Sequence, residues 1–297
     1  MQISGFGLVT VAFAIIQPLV LVGLPLAVLL VTFGPRSAKA AVVVGAIVAI
    51  TVLGGPTSLW WFERGWPLLL GGTYVWIAGW RPRWNFSAQA LAAVGLASAI
   101  FAAFLWLTPQ IWMELDASMR VRSAQAAQAA LGLLGAAVDD TLGGLMAKIA
   151  ALQVAIFPAL VAVSSLGALG LSVCIRNWLV GSEQPQPRIG SLRAFRFNDQ
   201  LIWVWLGGLG LVLAPLGQVA ERVGSNAVFF MGALYVLRGF AVLLALVDGI
   251  SVAAGVIGGL VALLLAPVLA VLLLGALLLG LGDTWLNVRE RARPAKD

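Results

Sequence analysis

The chain of 297 residues contains no histidine and a single cysteine, Cys174. Without histidine there is no His-based triad and no imidazole metal ligand. One cysteine cannot close an internal disulfide, anchor a c-type haem or build a Cys/His zinc site. No catalytic residue, cofactor or metal ligand is therefore assigned. No GxxxxGK[ST] phosphate loop is present either, so an ATP-driven step would need a partner subunit. Charge is scarce as well: Asp, Glu, Lys and Arg make up 10% of the residues, against about a quarter in soluble domains. No charged residue precedes Arg36. The basic n-region of a signal peptide is thus missing and the apolar run is too long for an h-region, so the N-terminal stretch reads as mature membrane structure.

What fills the chain is apolar surface. The hydrophobic fraction is 61% and the mean hydropathy +1.02, values that belong to an integral membrane protein. The expected fold is all-α: one polytopic helical membrane domain over residues 1–288 with about eight membrane segments, some broken by proline or re-entrant, and a short basic tail over 289–297. The formal charge of +6 does not point to nucleic acid. Its carriers lie in short clusters between apolar runs and at the C-terminus, as positive-inside topology requires. By that rule Arg36 and Lys39, Arg81 and Arg83, and the loop from Arg176 to Arg196 face the cytoplasm.

Pro18 and Pro25 bend or break the first apolar run, and Ala40–Leu53 is a second span. Trp60, Trp61, Trp66, Trp76, Trp80 and Trp84 flank the next one like interfacial aromatic belts, and Ala88–Leu107 follows. Over 109–149 the pattern changes. Leu131, Leu134, Val138, Leu142, Leu145 and Ile149 recur at three- and four-residue steps, the period of an amphipathic helix outside the hydrocarbon core, with a break expected at Gly143-Gly144. Phe157–Ile175 reads as a span opening at Pro158, and Leu201–Val219 as another. After Asp248, Ser251–Leu281 would measure about 45 Å if wholly helical, and Pro267 marks its expected kink or break.

One charge stands out. Asn226–Val247 would span about 33 Å at about 1.5 Å per residue, close to a hydrocarbon thickness of about 30 Å, and Arg238 falls inside it. An ionised side chain there costs at least about 2.5–3.5 kcal/mol, so it must meet an internal acceptor or an anion. The neighbouring acids in sequence, Glu221 and Asp248, are too far along the helix to be i, i+4 partners. Asp283 and Glu63 are the candidates for approach through tertiary packing.

Three stretches carry a resemblance: PALVAVSSLGALGLSVCIRNWL followed by FRFNDQLIWVW, then NAVFFMGALYVLRGFAVLLAL, and LLLGLGDTWLNVRERAR. Together they resemble the YybS-like family of bacterial multi-pass membrane proteins, itself allied in fold to the S components of energy-coupling-factor transporters. The likeness covers mainly Pro158–Arg293. Asn198 stands where that family usually has a proline before an aspartate, and Arg238 where glutamine is common. The resemblance implies a bacterial inner-membrane protein with a small-molecule cavity. Arg238, Asp283 and Asp248 are the candidate ligand-binding residues. The candidate partners are the lipid bilayer, other membrane subunits and an anionic small molecule, which a planar, permanently charged fork would hold bidentately.

Two functional classes follow: a substrate-binding membrane subunit or transporter-like protein, and a non-transporting membrane scaffold or envelope-assembly protein. A third, an intramembrane aspartyl protease, rests on Gly280-Leu281-Gly282-Asp283, which has the form GxGD, with Asp248 as the second carboxylate. It lacks the tyrosine expected before Asp248, and its PAL triplet, Pro158-Ala159-Leu160, precedes GxGD instead of following it.

Overall fold

The structure is a computed structural model that describes residues 20–34, 38–53, 59–134, 140–180, 195–246 and 266–286. Among these residues every regular element is a helix, as a bilayer demands of a chain whose backbone polar groups must be satisfied within the segment. Among the described residues three helices are long and apolar enough to cross a membrane: Phe86–Leu107, Gly143–Val180 and Gln218–Leu246. Val20–Phe33, Ala38–Thr51, Asp199–Leu213 and Ala270–Leu286 are shorter apolar helices. The chain folds into two compact units, Met1–Ile189 and Gly190–Asp297.

In the first unit the helices are α1 (Val20–Phe33), α2 (Ala38–Leu53), α3 (Trp60–Trp80), α4 (Phe86–Leu107), α5 (Pro109–Leu134) and α6 (Asp140–Val180). Asn85 caps α4 by accepting the Ala88 amide at 2.9 Å, one of the orphan donors of a helix start. Leu59, Leu115 and Phe157 form a buried cluster on which Phe62, Phe101, Trp112, Met119 and Val161 pack. Buried polar side chains cross-link the helices. Trp66 Nε1 of α3 donates to Ser165 Oγ of α6 at 2.8 Å, Thr73 Oγ1 of α3 to the Ala93 carbonyl of α4 at 3.2 Å, and Ser172 Oγ of α6 to the Val22 carbonyl of α1 at 2.7 Å. Where α1 meets α3, Gly71 lets the backbone of Pro25 approach so closely that a Cβ would stand 2.9 Å from its Cα.

Two expectations for this unit are corrected. The amphipathic stretch 109–149 is not one helix broken at Gly143-Gly144. It is the whole of α5 and the start of α6, and α6 runs unbroken through both glycines and through Pro158 for 41 residues, about 61 Å. Each glycine costs about 1 kcal/mol in a helix, too little to end one supported by a packed neighbour. That neighbour is α5, whose Ser123 Oγ donates to the Ala150 carbonyl at 3.0 Å. Helix α6 is therefore about twice the hydrocarbon thickness. Its Leu145 and Ile149 are exposed, which agrees with an apolar face turned to lipid. The side chains of Leu134, Val138 and Leu142 lie outside the described residues.

The second unit holds a 3₁₀ turn at Asp199–Leu201, α7 (Ile202–Leu213), α8 (Gln218–Leu246) and α9 (Ala266–Leu286). Glu221 and Arg222 belong to the first turns of α8. Pro267 is the second residue of α9 as described, a place where a missing amide is tolerated, and the part of the expected Ser251–Leu281 segment before Ala266 lies outside the described residues. Helix α8 is central, with α7 on one side and α9 on another. Gly224 of α8 abuts the Gly208 carbonyl of α7, leaving a Cβ only 2.6 Å from that oxygen.

Candidate functional site

The site begins with one residue of α8. Arg238 is 1% exposed, and α9 packs against it through two glycines. A Cβ at Gly239 would overlap the Ala276 carbonyl, and one at Gly280 would overlap the Tyr235 carbonyl. Gly239 thus faces Ala276 while Gly280 lies against Tyr235, so the two helices run antiparallel with their backbones in contact. This contact carries Asp283, one turn beyond Gly280, to the guanidinium. Arg238 Nε donates to Asp283 Oδ2 at 3.0 Å and Nη2 to the Asp283 carbonyl at 3.2 Å. Asp283 is wholly buried.

The third member comes from the start of α7. Asn198 Oδ1 accepts the Gln200 amide at 3.0 Å, which fixes the turn that presents Asp199, and Asp199 Oδ1 accepts from Arg238 Nη1. The Asp199 side chain is 57% exposed. An ionised carboxylate so exposed cannot face hydrocarbon, and Asn198 and Gln200 beside it are exposed too, so this end of α7 meets water or headgroups. Arg238 accordingly joins a dry carboxylate to a wet one. Phe197 covers the guanidinium with its ring centroid 5.6 Å away and packs edge-on against Tyr235 at 5.2 Å.

Of the candidate ligand-binding residues, the structure brings Arg238 and Asp283 together, while Asp248 lies outside the described residues. Glu63 belongs to the first unit and accepts from Arg122 Nη1 at 2.8 Å. Asp199 is the member that sequence reasoning missed. Its signal was the Asn-Asp pair opening an apolar run, a helix-start pattern that sat inside a loop read only for its positive charge. The GxGD sequence has a packing explanation here: Gly280 admits the α8 backbone and Asp283 binds Arg238. The carboxylate that Asp283 meets across Arg238 is that of Asp199.

The first unit buries a second arginine. Arg176 of α6 is 2% exposed. Its Nη2 donates to the Phe33 carbonyl at the end of α1 at 2.8 Å and its Nη1 to Asn177 Oδ1 at 3.3 Å. No group of three or more Cys, Asp or Glu residues that could hold a metal occurs among the described residues.

A family model described as "Predicted membrane protein (DUF2232)" matches residues 3–284. No curated protein matches the chain, and no solved structure does.

Proposed function

The chain belongs to that family of predicted membrane proteins, and from this premise we propose that it is a small-molecule-binding membrane subunit of the transporter-like type, with Arg238 as the ligand's contact. The observation that carries the reading is the asymmetry of the two carboxylates on one guanidinium, Asp283 buried and Asp199 57% exposed. Asp283 holds the Nε edge permanently. Asp199 occupies Nη1 from a wet surface, where its carboxylate keeps part of its hydration while bound. A carboxylate or phosphate arriving from water exchanges with Asp199 at little cost, whereas Asp283 keeps the fork oriented for it. Asp199 is in this sense a stand-in for the ligand's anion. The resemblance of Pro158–Arg293 to YybS-like proteins, and through them to transporter S components, agrees with this reading, which also places the protein in a bacterial inner membrane.

The test is native mass spectrometry of the protein extracted from its own membranes, in three forms. Asp199→Asn should retain more anionic small molecule than wild type, and Arg238→Gln should retain none. Equal small-molecule content in all three would remove the triad from any ligand site. A second reading, a non-transporting scaffold, is favoured by the backbone contact at Gly239 and Gly280, which makes the Arg238–Asp283 pair a lock between two helices. Folded protein of all three forms that carries no small molecule and co-purifies with the same membrane partners would establish it.

A further inference from the structure

We infer that Arg176 of the first unit is a binding site for a phosphate-class anion at the membrane surface, independent of the reading of Arg238. The argument starts from an imbalance. Arg176 is 2% exposed, yet its partners are two neutral oxygens, the Phe33 carbonyl and Asn177 Oδ1. Its Nε is buried without an acceptor. No acidic side chain among the described residues pairs with it. A charge buried in this way is stable only when it is paired and hydrogen-bonded. The carbonyl end of α1 supplies part of a helix dipole, worth at most about 2 kcal/mol in a partly buried setting, which does not replace a counterion.

The surroundings supply further donors. Tyr74 of α3, fully buried, packs its ring 6.1 Å from that of Phe86, which in turn lies against Gly170 of α6, so its hydroxyl belongs to the same end of the bundle as Arg176. Its bond to Gln89 Oε1 is long, 3.5 Å, so the hydroxyl can turn to a stronger acceptor. Gln89 is fixed by its own Nε2, which donates to the Arg81 carbonyl at 3.0 Å. The ends of α1, α3 and α6 and the start of α4 therefore converge on this cation. Arg81, stacked over Trp80 with 4.4 Å to the ring centroid, and Trp178, 82% exposed, mark that end of the unit as an interface between lipid and water. A phosphate oxygen set on Nε and Tyr74 Oη would complete the guanidinium's donors with charge-assisted bonds. Both a phospholipid headgroup and a soluble phosphate carry that chemistry.

The experiment titrates the full chain, delipidated in detergent, with phosphatidylglycerol in mixed micelles, with inorganic phosphate, and with diacylglycerol as a phosphate-free lipid. The unfolding midpoint is read at each step. Phosphatidylglycerol is expected to raise the midpoint of wild type, with about tenfold or more weaker apparent affinity in Arg176→Gln and a smaller loss in Tyr74→Phe. A matching rise with inorganic phosphate assigns the site to a soluble anion, and its absence assigns it to the headgroup. If Arg176→Gln does not fold, Tyr74→Phe decides, since it removes one hydroxyl and no charge. The inference is overturned if wild type responds to neither anion, if diacylglycerol acts as strongly as phosphatidylglycerol, or if the folded variants respond like wild type.

Discussion

Among the described residues two arginines are buried, one in each compact unit, and they are provided for in opposite ways. Arg238 receives two carboxylates from two other helices. Arg176 receives a helix-end carbonyl and an amide oxygen. The difference is between a cation whose counterion is part of the fold and one whose fold stops short of supplying it. It also decides what each residue can do. A guanidinium clamped by a dry carboxylate and backbone contact is a fixed element that exchanges a partner only at its wet edge. A guanidinium held by neutral acceptors keeps its charge available.

The sharpest way to break this comparison is to remove the dry counterion. Asp283→Ala leaves Arg238 buried with a backbone carbonyl and the exposed Asp199 as its partners, and breaking a buried pair from one side costs about 3–5 kcal/mol. The unfolding midpoint in mild detergent should fall accordingly. Replacing the pair together, with Arg238→Met and Asp283→Leu, should restore most of that loss, because two apolar side chains of similar volume leave no charge behind. A double variant as unstable as Asp283→Ala would mean that Asp283 acts through some contact other than Arg238.

Next in size is the contact that delivers Asp283. At Gly280 even one added carbon meets the Tyr235 carbonyl, so Gly280→Ala forces α9 away from α8 by backbone displacement. Overpacking of this kind costs about 1–3 kcal/mol. The same substitution at Gly275, where an added Cβ meets nothing, should be neutral or slightly stabilising, since alanine is the better helix former. Equal effects at the two glycines in the unfolding titration would remove the close approach as the reason Asp283 reaches its partner.

These contrasts also show how much of the protein was legible in its sequence. A membrane fold follows from composition alone, because an apolar chain in a bilayer has helices as its way to satisfy its backbone within each segment. Arg238 was legible because a charge inside an apolar run needs a partner, and Asp283 could be named as one. Asp199 was not, since the charge pattern around Arg188, Arg193 and Arg196 explained its loop without it. Arg176 escaped for a related reason: at the end of an apolar run, a basic residue reads as a topology signal, and only tertiary packing reveals that it points inward. The α5–α6 boundary was misplaced because glycine weakens a helix without ending it, whereas the neighbour that stabilises α6 through Ser123 is a non-local fact.

The third contrast is Arg176→Met in lipid-free detergent. Unlike Arg238, Arg176 leaves no buried acid behind when it is removed. The loss is one N–H donor for the Phe33 carbonyl and one for Asn177 Oδ1, and the gain is relief from a poorly compensated charge. The net change should be about 1 kcal/mol or less in either direction. A loss as large as that of Asp283→Ala would show that Arg176 is compensated within the folded chain after all.

The smallest effect belongs to Asp199→Asn. The side chain is 57% exposed and its partner 1% exposed, so the bond joins a wet group to a dry one and competes with hydration on one side only. Asparagine retains an oxygen that can still accept from Nη1, so what is lost is the difference between a charged and a neutral acceptor, about 1 kcal/mol. The unfolding midpoint should therefore move by no more than that amount, and the shift should shrink with added salt, because screening acts on the exposed member. Asp283→Asn is the internal control. It changes the same functional group at the same guanidinium but in a buried place, where salt has little access, so its larger loss should persist at high ionic strength. If Asp199→Asn were as costly and as salt-insensitive as Asp283→Asn, the two carboxylates would be equivalent, and Arg238 would have no edge from which a partner could be exchanged.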